Sequence, residues 1–163
     1  MRALLLLALV APLAALSACK DVSRFSSAGD HFEGPVVRGS FVRAGIAEDT
    51  QLCLTLDTNH LEDAPGTLSS NDGRFHETPL RPIPQLWHDP LSSLSFGQGR
   101  LRNLLYAATP SADAGDPQDM FVVVSLMQNE DVEARLMRSA PGGSTNAVFG
   151  VFTLTRHGGA CSF

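Results

Sequence analysis

Few side chains in this 163-residue chain have the types and spacing that chemistry requires. Trp87-His88-Asp89, set between Pro84 and Pro90, places an indole face beside an imidazole and a carboxylate. Such a set could bind a sugar or an aromatic ligand, and the chain's single Trp, in a proline-rich loop, would be a natural anchor for a partner. The plainer reading puts Trp87 in the core and His88-Asp89 in a turn, since large aromatics are usually buried. Asp113, Asp116 and Asp119 offer oxygen ligands to Ca²⁺, but their spacing is not that of an EF-hand loop, and a solvated loop accounts for them. His60 with Glu62 and Asp63 reads as a polar loop.

Motifs that would name a reaction break at one position each. Gly97-Gln98-Gly99 opens a dinucleotide loop, but Arg102 stands where the third glycine is needed. Gly142-Gly143-Ser144-Thr145 approaches a nucleophile elbow, but Asn146 replaces the closing glycine. His76-Glu77 opens a zinc-protease helix, but Leu80 replaces the second histidine and Pro79 forbids the helix. The expectation is therefore a non-enzymatic protein with no catalytic residue, no metal and no cofactor.

The chain begins Met1-Arg2, runs apolar from Ala3 to Leu16, and continues Leu16-Ser17-Ala18-Cys19. That run is shorter than the roughly 20 residues a membrane span needs and fits the core of a secretory signal. With a cysteine directly after Leu-Ser-Ala, the first nineteen residues resemble bacterial lipoprotein precursors; an ordinary secretory signal cut near Ala18 is the alternative. The resemblance implies cleavage before Cys19, a diacylglyceryl group on its thiol and acylation of its new amino group. Two or three acyl chains anchor a protein stably where one does not. Lys20 stands where the inner-membrane retention signal of enteric lipoproteins has Asp, so the resemblance also implies the outer membrane.

Once Cys19 is assigned to lipid, two of the three cysteines remain, Cys53 and Cys161. An exported chain permits a disulfide between them; two free thiols are the alternative. Removing the eighteen residues before Cys19 from 163 leaves 145, the size of one domain. It also removes Arg2 and no acid, taking the formal charge from −5 to −6. An acidic surface argues against nucleic acid as a partner and against polybasic contact with anionic headgroups.

These groups need elements to hold them, and the pattern is of strands. Gln51–Asp57 alternates, with Leu52, Leu54 and Leu56 on one face and Cys53 on the other. That places Cys53 where a C-terminal tail returning through Gly158-Gly159 could reach it. Met120–Met127 is apolar on both faces except for Ser125, as a central strand would be. Val132–Arg138 and Ala147–Arg156 alternate and complete an antiparallel meander with it. Further strands are expected at Val36–Arg43, Leu91–Phe96 and Leu101–Thr109, with a hairpin of Thr67–Ser70 and Arg74–Glu77 about Asn71-Asp72-Gly73. Pro79, Pro82, Pro84 and Pro90 exclude helix and central strand between them.

The reading is an all-β fold: an antiparallel β-sandwich or small β-barrel of about seven or eight strands. Residues 1–18 are expected to form the signal peptide, 19–34 the lipidated cysteine and a flexible tether, partly ordered if its only large apolar groups, Phe25 and Phe32, dock on the domain, and 35–163 a single β domain. The expected role is non-enzymatic, binding an envelope component or serving structurally; the alternative is a carrier holding a small apolar ligand inside a barrel.

Overall fold

The computed structural model describes residues 22–37, 46–83, 99–112, 119–138 and 148–163. Among the described residues a 3-10 turn, Ser23–Phe25, precedes nine strands: β1 Asp30–Pro35, β2 Gln51–Leu54, β3 Thr67–Ser70, β4 Thr78–Pro79, β5 Arg81–Pro82, β6 Arg100–Ala108, β7 Met120–Met127, β8 Val132–Met137 and β9 Val148–Gly158. All pairs are antiparallel, in the order β4-β3-β2-β1-β9-β8-β7-β6-β5. The chain is all-β, and the sheet curls into a nearly closed barrel.

Closure comes from the proline-rich stretch. β4 and β5 lie at opposite ends of the strand order, yet only Leu80 separates them in sequence. Residues 78–82 therefore bridge the sheet edges, pairing first with β3 and then with β6. Leu80 N–H donates to the Gly66 carbonyl on the β3 side, and Ile83 N–H to the Leu105 carbonyl on the β6 side. N–H groups alternate in direction along a strand. Pro79 thus faces β6 beyond the last β5–β6 pair, and Pro82 faces β3 beyond the first β3–β4 pair. Each proline sits where no partner asks for an N–H.

The barrel interior is one apolar core. Leu104, Tyr106 and Ala108 of β6, Val122, Val124 and Leu126 of β7, Val132, Ala134 and Leu136 of β8, and Phe152 and Leu154 of β9 point into it. Phe32, Leu52, Leu54 and Leu68 complete it from the other wall. Burial pushes the Tyr106 hydroxyl above its ordinary titration range. On the outer face of β6–β8, Leu105, Val123 and Met137 form a second, smaller cluster, so β7 is covered on both sides.

Three expectations change at the N-terminal half. The tether expected over 19–34 is folded from Val22 onward: Phe25 and Phe32 are fully buried, with ring centroids 6.2 Å apart, and β1 pairs with both β2 and β9. The first strand accordingly lies before Pro35, not over Val36–Arg43; Val36 makes one bridge to Phe152, Val37 is exposed, and residues 38–43 lie outside the described residues. Gly34 is required in β1, because a Cβ there would collide with the Thr153 carbonyl. The return strand expected at Arg74–Glu77 is instead Thr78–Pro79, after a turn in which Glu77 takes a φ of 44°. The strand expected over Leu91–Phe96 also lies outside the described residues.

Candidate functional site

The chemistry-bearing side chains that the fold gathers lie on the outer face of β1 and β2, beneath the C-terminal tail. Leu52 and Leu54 of β2 point inward, so Cys53 points out, and β1 brings Glu33 opposite it. β9 ends at Gly158, and Gly159, at a φ of +83°, turns the chain back over this face. There Cys161 forms a disulfide with Cys53, with Cα atoms 6.0 Å apart across a sequence separation of 108.

Beside the disulfide, His31 and Glu33 share a face as strand neighbours two apart. The Nδ1 of His31 donates to the Gly159 carbonyl at 2.9 Å, and its Nε2 lies at hydrogen-bond distance, 3.0 Å, from Glu33 Oε2. Glu33 also accepts from the Ser162 amide at 2.9 Å and from the Ser162 hydroxyl. Burial pushes the Glu33 carboxyl up, but the Ser162 hydroxyl and amide and the His31 ring outweigh it, leaving it below the usual carboxylate range. The His157 ring stacks on that of His31 at 5.7 Å. The tail is thus held by one covalent bond and by hydrogen bonds to a buried carboxylate.

The same groups invite two chemical readings, and geometry answers both. The side-chain ligand atoms of His31, Glu33 and Cys53 lie within 4.8 Å of one another, a spacing suited to a metal. The sulfur, however, is committed to Cys161 and offers no thiolate. Ser162, Glu33 and His31 bring together a hydroxyl, an acid and an imidazole, but the acid stands in the middle. A hydrolytic relay needs the imidazole between the other two, taking the hydroxyl proton. Here Ser162 donates to the carboxylate directly, which is how a carboxylate ties down a chain end.

A cleft of about 290 Å³ borders the clasp, between the β3–β4 turn and the tail; Ser69, Phe75, Glu77, Cys161 and Phe163 are among its walls. A second polar group lies on the outer face of the meander. Arg100 and Arg135 reach Glu133 Oε1 at 2.7 and 2.6 Å. Burial pulls the Arg135 guanidinium below its ordinary range, and Glu133 opposes that pull.

Of the residues singled out from sequence, Cys53 and Cys161 meet. Cys19, Trp87, His88, Asp89, Asp113 and Asp116 lie outside the described residues. Asp119 pairs with Arg81 at 2.6 Å and accepts from Thr109 at 2.6 Å. Those two bonds hold its carboxyl below the usual range and account for it within a loop. His60 and Asp63 pair at 3.3 Å on the surface. His31, Glu33 and Ser162 escaped the sequence reading. Their one signal was His-x-Glu beside Phe32, in a stretch whose small polar residues read as tether. Comparison with family models, with curated proteins and with solved structures finds no match to this chain.

Proposed function

We propose that this chain is a lipid-anchored protein of the bacterial cell envelope, held through Cys19 in the outer membrane, with a non-enzymatic binding or structural role. The observation that carries this reading is the Cys53–Cys161 disulfide, because structural disulfides persist in exported compartments and not in a reducing cytosol. It agrees with the lipobox at Leu16-Ser17-Ala18-Cys19, read independently from the other end of the chain. The packed interior supports binding at the surface over carriage of a ligand within. Tyr106, Phe152, Phe32 and Met120 are fully buried in the space a carried ligand would need.

Cys19→Ala tests the anchor. The wild-type protein should fractionate with membranes and carry acyl mass on its N-terminal peptide, and the variant should lose both. An unchanged membrane fraction without acyl mass would defeat the reading. Capture from envelope extracts with the folded domain would then name the partner. Native mass spectrometry of detergent-free protein bears on the carrier alternative, which predicts a retained small molecule.

A further inference from the structure

We propose that the barrel is held at the lipid headgroups by one end, so that the end formed by loops 22–29, 55–66 and 128–131 lies nearer the membrane than the end formed by loops 46–50 and 71–77. This rests on the anchoring reading above and adds an orientation to it. The reason is chain length. The described residues begin at Val22, and three peptide units separate it from Cys19, a reach of at most about 10 Å. The eight residues of β7, tilted as barrel strands are, span roughly 20 Å along the barrel axis. The linker is thus shorter than the body it holds, so the barrel cannot turn over to set its far end against the surface while the near end stands off.

The attachment point is fixed to one end. Ser27 N–H donates to the Leu56 carbonyl at 2.7 Å, and Leu56 N–H to Ser27 Oγ at 3.0 Å, tying the segment to the loop after β2. Arg24 pairs with Glu130, in the β7–β8 turn, at 3.2 Å. Arg156, at the end of β9, donates to the carbonyls of Arg24 and Ser26 and pairs with Asp30 at 3.3 Å, while lying 4.7 Å above the Phe32 ring. Phe25 is buried beneath. Residues 24–30 are therefore braced against this end of the barrel at several points.

Charge does not draw this end to the membrane. Asp57, Glu62, Asp63, Glu130 and Asp131 outnumber the arginines that brace it, Arg24 and Arg156. Orientation is imposed by the covalent anchor, and the surface presented outward to partners is the far end, with the β3–β4 turn and the cleft at the tail beside it.

The test uses the chain from Cys19 onward, which keeps every described residue. With Cys53 and Cys161 oxidised, Cys19 is the one free thiol and takes a maleimide lipid. An azide-bearing residue replaces the exposed Glu62 at the near end or the exposed His76 at the far end and is coupled to a donor dye. The protein is mounted on phosphatidylcholine vesicles carrying headgroup acceptors. Transfer should be several-fold stronger from position 62 than from 76. Inserting about twelve Gly and Ser residues after Cys19, with a root-mean-square span of roughly 20 Å, should erase most of that difference. Equal transfer from the two sites without the insertion, or stronger transfer from 76, would overturn the proposal. Chemical lipidation makes the outcome independent of processing in cells, so a failure of the anchoring reading would show separately, as missing acyl mass on Cys19.

Discussion

Glu33 is a buried carboxylate whose two oxygens are both engaged, by Ser162 and by His31. Glu33→Gln keeps the shape but removes the carboxylate to which Ser162 and His31 bond. The expected loss is about 1–3 kcal/mol, read by chemical denaturation of the oxidised protein. The pH dependence has a definite sign. A carboxyl whose folded titration point lies below its ordinary one contributes stability that is complete above the ordinary value and is lost as pH falls through the folded one. The gap in melting temperature between wild type and Glu33→Gln should therefore be constant near neutrality and close in acid, below the ordinary carboxylate range. A gap that stays open in acid would show that Glu33 acts through shape alone. The neighbouring disulfide makes a larger claim. Closing a loop of 108 residues constrains the unfolded chain by about 4–5 kcal/mol in the chain-entropy account. Reduction should lower the melting temperature without abolishing the fold, because the β6–β9 meander does not include either cysteine. Non-reducing peptide mapping that recovered Cys53 and Cys161 as separate free-thiol peptides would refute the linkage.

At the scale of elements, the segment before Pro35 decides where the domain begins. If Ser23–Phe25 were tether, Phe25→Ala would be silent. With Phe25 at zero exposure against Phe32, the substitution should cost about 3–5 kcal/mol in thermal or denaturant unfolding. The reason this segment was hard to read is physical. β2, β8 and β9 announce themselves because one face is apolar and the alternation follows, and β7 because both of its faces are apolar. β1 reads Asp-His-Phe-Glu-Gly-Pro, with one apolar side chain, because its outer face is buried under polar groups of the tail. Burial by hydrogen bonds and a disulfide leaves no hydrophobic period in the sequence. The same cause hid half of the clasp. Cysteine counting finds Cys53 and Cys161, whereas the His31–Glu33 pair depends on where the last five residues fold, which local pattern does not encode. β4 and β5 were hidden differently: prolines that argue against a central strand are tolerated where each half of the strand has a single neighbour.

For the molecule as a whole, the seam at Thr78–Pro82 is the place where the barrel is thinnest. Each half of that stretch pairs through two residue pairs, whereas β6 and β7 pair along eight. Short pairing gives few backbone bonds and little apolar cover, so local opening there should precede global unfolding. Leu80 is the exception that holds it: its side chain is buried in the main core at 3% exposure, and its amide bonds to Gly66. Leu80→Ala should cost about 2–5 kcal/mol, the range for truncating a core leucine, with the smaller values following if the seam collapses onto the gap. Native-state hydrogen exchange separates the seam from the rest. Amides of Leu80 and Ile83 should exchange through openings of lower free energy than those of Val122 and Val124 in β7, and Leu80→Ala should speed the first pair more than the second. Equal protection of seam and β7 would mean that the barrel opens only as a unit, with closure as strong as any other contact in its wall.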